Sequence, residues 1–231
     1  MTPPRFGRSL LTTAYFPPVE YFFAIACSGE VLIEQHENYQ KQSWRNRCRI
    51  LSAAGPEDLS IPVVKEERRG RPVRDIRIDY TEPWLQHHIR ALAAAYNASA
   101  FYEYYAGDLL PVLEKRPAFL FDLNLHLLER LLALLDLSVP VALSERFVPP
   151  GSVSEVRPAS GGILPLFDGR GRIQPKYKGE SLLAEYGFEQ AYYQVFVNRD
   201  PAIPQAFIPN LSVLDLLSAE GPNAGAFLHV R

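Results

Sequence analysis

Proline occupies 20 of the 231 positions, and each one fixes its own φ, lacks a backbone N–H and pushes the preceding residue away from helical geometry. Long helices can therefore fill only part of this chain. Much of the proline stands next to aromatic residues, as in AYFPP at 14–18 and EPWL at 82–85, so rigid turns are expected to hold aromatic rings in set positions.

Between these turns the hydrophobic pattern changes period. SLLTT at 9–13 reads as a short strand, Pro17 and Pro18 as a turn, VEYFFAIACSG at 19–29 as a helix ending near Gly29, and EVLIEQ at 30–35 as a second strand. This order predicts an α/β fold in which a strand end feeds a ligand-facing loop. No glycine-rich dinucleotide or nucleoside-triphosphate fingerprint accompanies it, so a standard Rossmann cofactor site is not expected.

Residues 36–50 are polar, and their end alternates. If it is a strand, Trp44, Asn46, Cys48 and Ile50 share one side, and Arg45, Arg47 and Arg49 form a comb on the other. LSIPVV from Leu59 and VRDIRIDY from Val73 are predicted as further strands, separated by the charged insertion KEERRGRP. From Glu82 the period becomes helical, in stretches beginning at Glu82, Phe101 and Ala118 and running to about Leu137. Residues 151–180 carry Gly161, Gly162, Gly169 and Gly171 without a clear period and are expected to be a long loop or mobile lid. YYQVFV at 192–197 is a strand candidate, and LSVLDLLSAEGP a helix with Ser212 as N-cap and Gly221 as stop. The expected architecture is one α/β domain over 1–231: a central mixed sheet with flanking helices, a helix-rich middle and a long Gly/Pro-containing loop.

Charge and cysteine narrow the function classes. The 24 basic and 26 acidic residues nearly cancel, to a formal charge of -2, which argues against broad capture of nucleic acid while leaving room for a local cationic pocket. Cys27 and Cys48 make neither a disulfide framework nor a four-ligand zinc site, and a reducing cytoplasmic setting is favoured. Even the leucine-rich stretch 119–135 is interrupted by Asp122, Asn124, His126, Glu129 and Arg130, so no membrane insertion is expected. His87 and His88 are adjacent, not the i and i+4 pair of a helical zinc motif, and no metal site is expected. No cofactor is named by any motif.

The candidate site draws on the segment after the second strand. Tyr15, Tyr21, Tyr39 and Trp44 are candidates to stack on a sugar or base, and Lys41, Arg45, Asn46, Arg47 and Arg49 to hold phosphate or carboxylate. His36 stands between Glu34 and Glu37, an arrangement suited to proton transfer when the side chains converge, so these three are the candidate catalytic residues. Solvated or salt-bridged surface positions are the plain alternative for the arginines, and core packing for the aromatics. Tyr102, Tyr104 and Tyr105 suit either packing or carbohydrate contact, with packing narrowly preferred. Gln194, Asn210, Ser212 and Asp215 offer a polar rim, with the last two also suited to starting a helix.

In order and spacing, TTAYFPPVEYFFAI, IEQHENYQKQSWRNRCRI, LSIPV, PWLQHHIRALAAAY, FYEYY, YYQVFV and NLSVLDLLSAEGP together resemble the WbqC-like protein family. That family is associated with O-antigen and other cell-surface polysaccharide biosynthesis. The resemblance implies an enzyme of polysaccharide precursor synthesis, a transferase placing an acyl or aminoacyl group on a nucleotide-linked amino sugar, whose partner is a nucleotide-sugar or other anionic small molecule. A non-catalytic sugar or nucleotide-sugar binding protein and a structural or interaction module are the alternatives. Many relatives read Q-P-x-F-x-P and D-D-x-x-Y where this chain has Thr13-Ala14-Tyr15-Phe16-Pro17 and a segment beginning Glu34-Gln35-His36. Roles of those Gln and Asp side chains therefore do not carry over. These motifs fit a monomer and a symmetric dimer equally.

Overall fold

The computed structural model describes residues 5–67, 69–151, 155–156, 164–187, 191–197 and 207–228. β1 (Arg8–Thr12), α1 (Val19–Ala26) and β2 (Val31–Glu34) realise the first predicted unit. β1 and β2 pair in parallel, Ser9 opposite Val31 and Thr12 opposite Glu34. β1 is buried from Ser9 to Thr12, as a strand covered on both faces requires. Its buried hydroxyls are satisfied, Ser9 by Ser28 Oγ at 2.6 Å and Thr12 by donating to the Thr13 carbonyl at 3.1 Å. α1 is apolar nearly all round and buried from Val19 to Ile25, the pattern of a helix sunk in a core rather than lying on a surface.

The sheet is completed by β5 (Val141–Leu143), β6 (Glu155–Val156) and β7 (Leu164–Asp168), in the order β5-β2-β1-β7-β6. β5 and β7 run parallel to their neighbours, and β6 is antiparallel to β7. β3 (Arg47–Ser52) and β4 (Gly55–Ser60) form a separate antiparallel hairpin. Three helices, α2 (Trp84–Tyr96), α3 (Tyr102–Glu114) and α4 (Leu120–Leu134), make up the helix-rich middle; α5 (Leu182–Glu185) and α6 (Val213–Glu220) follow. A continuous apolar core joins α1 and the sheet to α2, α3, α4 and α6. The mixed sheet with flanking helices is an α/β architecture, as expected. Among the described residues no helix is long and apolar enough to cross a membrane.

Five local expectations change. Trp44–Asn46 is a turn of 3-10 helix, so the strand begins at Arg47 rather than Trp44. The next strand ends at Ser60, because Pro62 has no N–H to give, and Val63 retains only an isolated bridge to Ile78. The stretch from Val73 opens with a 3-10 turn, Val73–Asp75. Beyond it Arg77 meets Phe119 through another isolated bridge. YYQVFV is not a strand: the Gln194 side chain takes the place of a neighbouring strand, accepting from Ile208 N at 3.0 Å and donating to Ile208 O at 2.8 Å. Residues 151–180, expected as loop or lid, contain β6 and β7; 152–154 and 157–163 lie outside the described residues.

Candidate functional site

In an open parallel sheet, ligands bind beyond the carboxyl ends of the strands, at the point where the chain turns from building one side to building the other. Here β1 has β2 on one side and the much later β7 on the other. A cleft of about 610 Å³ lies at the loops that leave β2, β5 and β7, lined by His36, Glu37, Phe147, Arg170 and Gln174 among others.

The frame of this cleft is the last residue of β2. Glu34 is fully buried. Its Oε1 accepts from Ser144 Oγ at 2.8 Å and from the His36 backbone N–H at 2.7 Å, and its Oε2 accepts from the Val148 N–H at 2.8 Å. Both oxygens are thus engaged by the loop following β5 and by the start of the site loop. Arg170, just past β7, reaches within 3.8 Å of Glu34. It donates to Asp168 through Nε at 2.9 Å and Nη2 at 2.6 Å, and to the Val148 carbonyl at 2.6 Å. One interlocked set of charges therefore ties the loops after β2, β5 and β7 together.

His36 is held by this frame. Its Nε2 lies 3.0 Å from the Ser144 carbonyl oxygen, which can only accept, so Nε2 carries the proton and Nδ1 is the basic nitrogen. Glu37 pairs with Arg45, whose Nε donates at 3.0 Å and whose Nη2 lies 2.7 Å from the same oxygen. Arg45 is wholly buried, and its Nη1 has no hydrogen-bond partner among the described residues. Burial pushes the Glu37 carboxyl upward from its ordinary value against the opposing pull of the Arg45 charge.

The remaining predicted residues do not converge on this cleft. The segment after His36 forms a partition: Asn38 and Gln40 line the sheet-edge cleft, while Tyr39 and Lys41 line a second cleft of about 690 Å³. This alternation follows from extended backbone, in which successive side chains point to opposite sides. Asn46 and Arg47 also line the second cleft, together with Trp84 at the start of α2.

The three-arginine comb is corrected. Because Arg45 lies in the 3-10 turn, it points into the interior, and only Arg47 and Arg49 share a strand face. Both bind Asp58 of β4, at 3.0 and 2.8 Å, and the Arg49 guanidinium lies 5.8 Å from the Trp44 ring centre. Tyr15, Tyr21 and Trp44 are core residues, 0%, 2% and 5% exposed, which leaves no ring face for a ligand. The Tyr21 hydroxyl donates to the Thr12 carbonyl at 2.8 Å, and that of Tyr15 lies 3.0 Å from His88 Nδ1. Cys27 and Cys48 are buried, and burial pushes the Cys27 thiol up to about 12, unsuited to nucleophilic work near neutral pH.

Sequence reasoning missed Ser144, Phe147, Asp168, Arg170 and Gln174. The signal for two of them was Asp168-Gly169-Arg170-Gly171, an acid and a base at the end of LPLFD. It was masked by Pro165 and by glycine, which read as loop. Among the described residues, no three or more His, Cys, Asp or Glu side chains are grouped to hold a metal ion.

A family model described as the WbqC-like protein family matches residues 13–227. The chain is 28% identical over 223 residues to "Uncharacterized protein Rv1507c" of Mycobacterium tuberculosis, covering 95% of this chain and 96% of that protein. No solved structure matches it. The matched span contains every element from α1 to α6 as well as both clefts, and the chain belongs to the WbqC-like protein family.

Proposed function

We propose that this protein is an enzyme of cell-surface polysaccharide precursor synthesis that transfers an acyl or aminoacyl group to the amino group of a nucleotide-linked sugar bound in the sheet-edge cleft. The observation that carries the reading is His36, an imidazole oriented by the Ser144 carbonyl and lining a cleft at the carboxyl ends of parallel strands. With Nε2 protonated, Nδ1 is placed to accept a proton from an attacking amine. The amine nitrogen forms the new bond to the acyl carbon, its proton passes to Nδ1, and the leaving group of an activated ester or thioester donor departs with the electron pair of the broken bond.

The surroundings suit a sugar. Phe147 is 48% exposed at the cleft wall and offers a ring face to the apolar side of a pyranose. Asn38, Gln40 and Gln174 supply amides to its hydroxyls. Glu34 acts as a positioning residue in this scheme, since both its oxygens are taken; Glu37 remains at the wall as a carboxyl whose proton affinity burial has raised.

The test is to incubate the protein with nucleotide-linked amino sugars and a panel of acyl- and aminoacyl-thioester donors, following acylated product by mass spectrometry. Product is expected, and His36→Ala is expected to lower kcat by about a hundredfold or more while sugar affinity is retained. Sugar binding without product from any donor would replace the enzyme with a sugar-binding protein. Absence of binding would remove the sugar reading altogether.

A further inference from the structure

The second cleft lies on the other side of the 36–41 partition and has no part in the chemistry proposed for His36. Three independent features of it point to the same kind of ligand. The first is α2, a helix of 13 residues whose N-cap is Pro83 and whose first turn is capped by no side chain among the described residues. Helix N-termini present backbone N–H groups and the positive end of the helix dipole. Thr81, Glu82, Pro83 and Trp84 put this terminus on the cleft wall.

The second feature is a set of unsatisfied polar atoms. Trp84 is only 6% exposed, and among the described residues its indole Nε1–H has no hydrogen-bond partner; the same holds for Arg47 Nε and Asn46 Oδ1, and all three residues line the cleft. Buried donors are almost always paired in folded proteins, so two unpaired N–H groups at one cavity mark a place where an acceptor is missing.

The third feature is charge. Lys41, Arg47 and Lys65 line the cleft, against Asp79 and Glu82. Asp79 Oδ1 already accepts from Thr81, through N at 3.0 Å and Oγ1 at 2.6 Å. Arg47 and Arg49 share the single carboxylate of Asp58, so that pair keeps one uncompensated positive charge beside the cavity.

We propose that this cleft binds the phosphate group of an organic phosphate, received by the N-terminus of α2, Trp84 Nε1 and Arg47, with Lys41 and Lys65 at the rim. Helix N-termini with unpaired backbone N–H groups are ready-made phosphate sites. A volume of about 690 Å³ far exceeds one phosphate and falls within the range of small-molecule pockets. The apolar Ile61 and Pro62 on its wall receive the carbon-bearing part of the ligand. This site stands whether or not His36 catalyses a transfer.

The chain contains two tryptophans, so a nitrogen–proton correlation spectrum of the labelled full-length protein shows two indole signals, and Trp84→Phe assigns them. Inorganic phosphate, glucose 1-phosphate and uridine 5′-diphosphate are titrated separately. The Trp84 indole signal is expected to shift saturably, with the organic phosphates binding more tightly than inorganic phosphate. Lys41→Gln, which alters only an exposed side chain, and Arg47→Gln are each expected to weaken binding about tenfold, the loss of one charge-assisted contact. His36→Ala is expected to leave the titration unchanged. Equal affinity for inorganic and organic phosphate would overturn the organic ligand and assign the site to free phosphate. No saturable shift with any of the three, or a shift that both cleft variants leave untouched, would overturn the site.

Discussion

At the scale of single residues, the buried charges are places where one substitution is costly. Arg45 and Glu37 form an ion pair with the arginine wholly enclosed. Removing one partner leaves the other as an uncompensated buried charge, which costs about 3–5 kcal/mol. Arg45→Met is expected to lower unfolding stability by that order. The double variant Arg45→Met with Glu37→Gln should lose less than the sum of the single losses, as a double-mutant cycle in urea unfolding would show. Additive losses would mean that the two groups do not act as a pair. The sequence marked both residues for ligand contact or catalysis, and it had no means of showing that they face each other. Their pairing depends on a turn at 44–46 that converts an apparent strand position into an inward one.

At the scale of elements, α6 shows how local chemistry becomes legible. Ser212 caps it, accepting from Leu214 N at 3.3 Å, and Gly221 ends it with φ 58°, both as expected from sequence. Ser212→Ala is expected to cost about 1 kcal/mol, the ordinary value of an N-cap. Gly221→Ala should cost more, since a Cβ there adds left-handed strain and stands 2.6 Å from the Phe101 ring. Thermal unfolding of the two variants checks the order, and an equal or smaller loss for Gly221→Ala would count against it. The same reasoning failed for YYQVFV, whose apolar alternation resembles a strand. Among the described residues no neighbouring strand supplies its ladder, and Tyr192 and Gln194 instead reach Asp215 and Ile208. Cap and stop residues act within four or five positions of themselves, whereas a strand exists only if a partner arrives.

At the scale of the whole molecule, two buried titratable groups set opposite pH slopes. Burial raises Asp215 from its ordinary 3.8 to about 6, against hydrogen bonds from Tyr192 and Gln194. The folded state therefore holds a proton that the unfolded state has released between about pH 4 and 6, and stability falls as pH rises through that window. Burial, with the neighbouring His87 charge, lowers His88 from 6.5 to about 4. Here the unfolded state binds the extra proton, and stability is lost as pH falls from about 6.5 towards 4. The two slopes largely offset each other across the same range. Asp215→Asn is expected to make stability rise more steeply with pH between 4 and 6, and His88→Gln to make it rise less steeply or fall. Chemical denaturation at a series of pH values measures both, and slopes that move in the same direction for the two variants would contradict the assignment.

The strand–turn–helix–strand unit at the N-terminus, the helical middle, the capped final helix and the polar character of residues 36–47 were legible in the sequence. Each depends on local periodicity, proline geometry or capping, which act over one or two turns of chain. Only the tertiary structure decided that Arg45 turns inward, that Tyr15, Tyr21 and Trp44 belong to the core, and that one polar segment separates two clefts. It also placed Ser144, Asp168 and Arg170 around Glu34. Those placements arise from the parallel sheet, which sets Thr12 beside Glu34 and brings strands more than a hundred residues apart edge to edge, Ile33 beside Leu143 and Leu10 beside Asp168. Side-chain chemistry is written locally, but the groups that share a cleft are selected by strand order.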